Sequence, residues 1–215
     1  MPLTLEYLRA LIADNHELLD VEFKPACAQG EKEPFAHVVR ACIAMANSRD
    51  GGRVVVGVSQ RDGAFTEDPL TPEQLKTWTH DSVLHSVNSY CDPSIELVLE
   101  TLTVPSSDRA FVVLSVSPFS EVPIVCKKDY SATGRSGKSR QVLRDGACYV
   151  RPLRKPESVE VPSHSEMRRL LDLALEQYIQ RFSKQLLILR EPAKEARQTE
   201  DREKFQAQVK EFLGD

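Results

Sequence analysis

Cysteine is scarce in this sequence and follows no pattern. The five residues Cys27, Cys42, Cys91, Cys126 and Cys148 are odd in number and scattered, with no C-x-x-C pair. That argues against a disulfide framework and for a reducing, cytoplasmic setting. Long apolar runs are missing too. None approaches the ~18–20 residues that a membrane-spanning helix needs, so no membrane role is expected. The opening MPLTLEYLRALIAD carries acids and an amphipathic pattern, without a basic stretch or a small-residue cleavage site, so no secretory leader is expected. Aromatics are thin as well. Five tyrosines and one tryptophan make a poor platform for stacking nucleic-acid bases. No internal repeat is visible.

What is present is enough for a folded core. At 41% hydrophobic and 28% charged residues, the chain is no disordered tail. Its net charge of −4 hides a division: between Lys127 and Lys155 nine basic residues stand against two acids, Asp129 and Asp145. That segment carries +7 and leaves −11 for the remainder. A basic segment in an acidic chain reads either as a solvated loop or as the footprint of a polyanionic partner.

Periodicity predicts an α+β fold: a mixed, largely antiparallel sheet packed with helices, followed by a C-terminal helical appendage. Thr4 caps a first helix with Leu5, Leu8, Leu11 and Ile12 on one face, ending near Asn15. DVEFK alternates, with Val21 and Phe23 on one side and Asp20, Glu22 and Lys24 on the other, as in a half-buried strand. A helix from about Glu33 stops at 47–52, where Asn47 and the Gly51–Gly52 pair supply a helix exit. RVVVGV reads as one strand followed by an RDG turn, and a third helix is expected from Thr71 towards Cys91. IELVLETLTV and AFVVLSVS read as an antiparallel pair, with short strands at 123–126 and 147–151 and a polar, basic loop at 127–145 between them. Beyond Pro162, apolar residues from Met167 to Leu189 mark a long amphipathic helix, and Phe205, Val209 and Phe212 form a thin stripe after Pro192. The expected domains are 1–156 and 163–215.

Several motifs fail on context. TGRSGKS is one glycine short of a phosphate-binding loop, because Ala132 stands at the first glycine position, and loop and strand follow it instead of a helix. His80 and His85 are five apart on a helix, about 140° out of phase, and cannot readily share a zinc ion. Glu17 and Glu22 are more informative. On one straight strand they would face opposite sides, and Glu22 would belong to the wet face of an edge strand. With Glu17 in the preceding turn, the bend could bring both carboxylates to one oxygen-rich site for Mg²⁺ or Mn²⁺.

LLDVEFKPA, then ACIAMANSRDGGRVVVGV, then GACYVRP, together resemble the Schlafen-type AlbA-like domain over roughly residues 10–155. The resemblance implies a nucleic-acid-binding module, and in the family's nucleases a divalent-metal-dependent endoribonuclease acting on structured RNA such as tRNA, in a stress or antiviral setting. It implies metal ligands at Glu17 and Glu22. The family's third acid falls on Ser59, leaving Asp62 as a substitute only if the RDG turn folds back. Pro152 stands where the family has glycine. Carried over, Glu17, Glu22, Lys24 and Asp62 would be catalytic, with Lys24 neutralising a phosphate. Lys127, Lys128, Arg135, Lys138, Arg140, Arg144 and Arg151 would hold the nucleic acid, RNA favoured over DNA. Two readings stay open at this point: a Mg²⁺- or Mn²⁺-dependent nuclease, in which Glu22→Gln abolishes cleavage with little loss of fold, and a non-catalytic DNA- or RNA-binding module. The resemblance implies a single lobe of what is a two-lobed horseshoe in the family's nucleases. With the wide apolar stripe of Met167 to Leu189, it leads to the expectation of a homodimer through the C-terminal helix.

Overall fold

The computed structural model describes residues 3–133, 139–154 and 157–183. The chain divides into two compact units, residues 1–173 and residues 174–215. In the first, α1 (Leu5–Ala13) begins where Thr4 Oγ1 accepts a hydrogen bond from the Tyr7 N–H. β1 (Val21–Lys24), α2 (Lys32–Ala46) and β2 (Gly52–Val56) follow. β3 (Val58–Arg61) and β4 (Ala64–Glu67) form a hairpin, then come α3 (Pro72–Leu75), α4 (His80–Asn88) and β5 (Cys91–Asp92). β6 (Leu97–Thr103) and β7 (Ala110–Val116) are the antiparallel pair read from the sequence. β8 (Val125–Cys126), the hairpin of β9 (Tyr130–Thr133) with β10 (Ser139–Leu143), β11 (Tyr149–Val150) and β12 (Val159–Glu160) complete the strands. Residues 164–173 are helical, with Leu170 and Leu173 buried. In the second unit, residues 174–183 are helical. Among the described residues no helix is long and apolar enough to cross a membrane.

The central sheet has the order β1-β2-β7-β6, with β1 parallel to β2 and the other pairs antiparallel. It is covered on both faces. Leu8 and Leu11 of α1 cluster with Val21, Phe23, Val55, Phe111 and Val113 on one face. Side chains alternate along a strand, so Val54, Val56, Val112 and Leu114 point the other way, and they too are buried. α2 packs on the sheet from that side and is buried along nearly its whole length after Pro34.

This double cover corrects the half-buried reading of DVEFK. Glu22 lies opposite Val54 on the α2 side and is 2% exposed, so the alternation reflects a buried charge and not a wet face. Three other expectations change. RVVVGV breaks at Gly57, whose φ of +115° turns the chain from β2 into the β3–β4 hairpin. A Cβ there would sit 2.9 Å from the Phe111 ring, so the turn also needs glycine's missing side chain. The third helix is two helices. α3 is opened by a capping box between Thr71 and Gln74, and Trp78 donates its indole N–H to the Cys27 carbonyl in the gap before α4. The basic loop is the β9–β10 hairpin, with Ala132, Val142 and Leu143 buried beneath a polar outer side. Its residues 134–138, including Arg135 and Lys138, lie outside the described residues, as do 184–215 with the Phe205, Val209 and Phe212 stripe.

Candidate functional site

The turn after α1 returns the chain so that Glu17 meets β1. Its Oε1 accepts the Phe23 backbone N–H at 2.6 Å, which brings Glu17 and Glu22 into one cleft of about 520 Å³. Lys24, Glu33, His37, Val58, Gln60, Phe65 and Glu157 also line it. The bend that the Glu17–Glu22 spacing requires is therefore present.

The cleft is not an open carboxylate pair. Glu22 Oε1 accepts from Lys24 Nζ, and Oε2 accepts from Arg151 Nη1 and from the Ser158 hydroxyl. Arg151 also donates to the Leu19 carbonyl at 2.9 Å, to Leu18 at 2.8 Å and to Val21 at 3.1 Å, and its Nη2 lies 3.9 Å from Glu17 Oε2. Burial would raise the Glu22 pKa, but Lys24 and Arg151 together hold it below the ordinary carboxylate value. Glu17 goes the other way. Its burial outweighs the Phe23 hydrogen bond and pushes its pKa up. His37 is held down to about 4, first by burial and then by the positive charges of Arg40, Lys24 and Arg140, against a smaller opposing effect of Glu22.

A divalent cation asks for an oxygen set with negative charge to spare. Glu17, Glu22, Glu33 and Glu157 all line the cleft, but both Glu22 oxygens are taken by protein donors. Asp62 sits exposed at the tip of the β3–β4 turn with φ +50° and does not line the cleft. Ser59 donates to Asp68 Oδ2 at 2.5 Å, whereas its neighbours Val58 and Gln60 face the cleft, so the third-acid position points to the other side of β3. Among the described residues no three His, Cys, Asp or Glu side chains group as metal ligands. A metal at Glu22 would have to displace Lys24, Arg151 or Ser158 from its carboxylate.

The expected nucleic-acid contacts separate into three kinds. Lys127, Lys128 and Arg140 are exposed with no carboxylate partner among the described residues, although Lys128 Nζ stands 5.6 Å from the Tyr90 ring centre. Arg144 is held by Glu160, its Nε 3.0 Å from Oε2. Arg151 is buried and serves as the clamp on β1, so it is no surface cation. The sequence reading missed His37, Arg40 and Ser158. His37 and Arg40 left one trace: they are the two polar residues in the apolar run FAHVVRACIAMA.

The profile of the family described as Schlafen, AlbA_2 matches residues 17–152. No curated protein matches the chain. Similar solved structures include two that illustrate the range of coverage. The DIP2311 protein of Corynebacterium diphtheriae is 14% identical with a TM-score of 0.42, over 72% of this chain and 25% of its own. The N-terminal domain of a RecG-related protein from Nitrosomonas europaea is 23% identical with a TM-score of 0.41, over 66% of this chain and 88% of its own. The chain thus spans a quarter of the first of these.

Proposed function

The chain belongs to the Schlafen AlbA_2 family, and on that premise we propose that it is a nucleic-acid-binding protein, RNA favoured over DNA, which holds its partner by the phosphate backbone. The observation that carries this reading is the trio of exposed cations, Lys127, Lys128 and Arg140, left without carboxylate partners among the described residues in a chain of net charge −4. Backbone contacts of this kind release counterions, so affinity falls with salt by ~0.7–0.9 log units per log unit for each phosphate neutralised. Fluorescence anisotropy with labelled tRNA, single-stranded RNA and duplex DNA, from 50 to 200 mM salt, tests it. Wild type is expected to bind RNA best, and the Lys127→Ala, Lys128→Ala, Arg140→Ala triple variant to lose roughly 2–3 units of salt slope. No binding to any of the three at the lowest salt refutes the reading.

A second reading, a metal-dependent endoribonuclease, draws on one observation: Glu17, Glu22 and Lys24 share a single cleft in the family's order. Against it stands the commitment of Glu22 to Lys24, Arg151 and Ser158. Incubation with tRNA and Mn²⁺ or Mg²⁺, beside an EDTA control, separates the two readings. Cleavage that EDTA abolishes would establish the nuclease, and intact tRNA in both arms leaves the binding module. A homodimer would complete the half-groove that a single lobe offers.

A further inference from the structure

Along α2 the residues from Phe35 to Ala46 are buried except for two, His37 and Arg40. Three apart, they lie on one face of the helix. Glu33 and His37 of that face line the cleft, and Arg40 follows one turn further on. α2 also packs against β10, which carries Arg140, and against β1, which carries Lys24.

Arg40 is the anomaly in this group. Its Nε is buried and has no hydrogen-bond partner among the described residues. A buried donor left unmet is rare in folded proteins, and a guanidinium N–H is met best by an anionic oxygen. No carboxylate fills the role: Arg40 and Arg140 form no ion pair among the described residues, and Glu22 is already engaged on both oxygens.

We propose that Lys24, His37, Arg40 and Arg140 form a phosphate seat beside the cleft, with the half-buried Arg40 guanidinium as its central donor and a phosphodiester of the bound nucleic acid as its ligand. This rests on the binding reading above and gives it a location away from the 127–128 pair. Arg is suited to the task because its planar fork binds phosphate oxygens in pairs and keeps its charge when buried. Lys24 supplies charge as a point cation, held in place by Glu22, and Arg140 closes the seat from the hairpin. His37 is held neutral first by burial and then by Arg40, Lys24 and Arg140, which outweigh Glu22, so positive charge prevails around the ring. In its neutral form the ring still has one N–H to donate.

The test uses the full chain in two arms. In the first, RNA affinity is measured for wild type, Arg40→Gln, Arg40→Lys and Arg140→Gln. Arg40→Gln is expected to weaken binding roughly 10- to 100-fold, as for loss of one charge-assisted hydrogen bond, and to lower the salt slope by about one unit. Arg40→Lys should recover part of the affinity. If Arg40→Gln fails to fold, Arg40→Lys and the resonance of wild-type Arg40 in the second arm carry the comparison, since Arg140 belongs to both sites. In the second arm the Arg40 Nε–H resonance is followed by NMR while inorganic phosphate, and separately RNA, is added. Movement with RNA supports the seat, whether or not phosphate also moves it. Movement with inorganic phosphate alone makes it a site for free phosphate and overturns the nucleic-acid assignment. Wild type that binds RNA while Arg40→Gln binds equally well overturns the seat and leaves the binding reading standing. Wild type that binds no nucleic acid overturns both.

Discussion

Arg151 and Glu22 meet with side chains only 1% and 2% exposed, and the guanidinium holds three backbone carbonyls of the β1 approach as well. Removing one partner from such a pair strands the other charge out of water. Arg151→Met is therefore expected to lower the unfolding free energy by about 3–5 kcal/mol, read by urea denaturation. Glu22→Gln should act in the same direction at pH 7, so it tests stability before it tests catalysis, contrary to the little-loss-of-fold expectation from the family pattern. The pH dependence has a definite sign. Glu22 has a lower pKa in the fold than when unfolded, so its stabilisation is complete above the ordinary carboxylate range, ~4.3, and is lost as pH falls through the lower folded value. Glu17, raised by burial, works with the opposite sign, which makes the difference between wild type and Glu22→Gln more informative than either curve alone. That difference should shrink between pH 5 and pH 3. A constant gap would show that the carboxylate's charge contributes nothing.

Asn47 joins elements as Arg151 joins residues. Its Nδ2 donates to the Ile124 and Tyr149 carbonyls, each at 2.9 Å, and its Oδ1 accepts the Ile124 N–H at 2.7 Å, tying the end of α2 to β8 and β11. The glycines after it are equally constrained: a Cβ on Gly51, at φ +71°, would lie 2.1 Å from the Val116 carbonyl oxygen. Asn47→Asp keeps the shape but turns an acceptor towards two carbonyls, and is expected to cost about 3 kcal/mol in urea or thermal unfolding. A change below the error of the measurement would remove the clamp from the fold's account. The ANSRDGG segment was legible as a helix exit because Asn and paired Gly advertise the turn. Its clamp was not, since both partners are backbone groups that any sequence would present. The same division runs through the other elements. α1 and β7 are legible because their apolar residues keep an unbroken pattern, and β6 because its β-prone residues are set off from β7 by Pro105 to Arg109. The β9–β10 hairpin was read as a loop because its inner face is made of Ala132, Val142 and Leu143 while Ser, Lys and Arg dominate its composition. The helix expected from Thr71 to Cys91 broke because Leu75, Trp78 and Val83 suit one helix or two, and the Trp78–Cys27 hydrogen bond that marks the gap is not local.

At the scale of the molecule, the cleft residues come from turns and strands far apart in the chain. Glu17 and Glu22 could be paired from sequence through a family pattern, whereas Arg151, Ser158 and His37 could be placed beside them only by the fold. Assembly is the remaining question. In the first unit Met167 and Leu171 are exposed, and in the second Leu175, Tyr178, Ile179 and Phe182 are exposed, with the Tyr178 and Phe182 rings stacked at 6.3 Å. Apolar side chains repeating at helical spacing support the proposed homodimer, and closed two-fold pairs are the commonest assembly. Light scattering at micromolar concentration should give about twice 24.2 kDa, and Leu175→Glu with Phe182→Glu should halve it. A wild-type mass of 24.2 kDa would refute the pair. The clamp on β1 also sets a schedule for synthesis. Arg151 lies 129 residues beyond Glu22, so a ribosome adding ~5–20 residues per second makes Glu22 roughly 6–25 s before its buried partner exists. Throughout that interval the first strand must stay hydrated or under chaperone care. A chain that ends before residue 151 lacks the donor that meets Glu22 Oε2 and the Leu18, Leu19 and Val21 carbonyls.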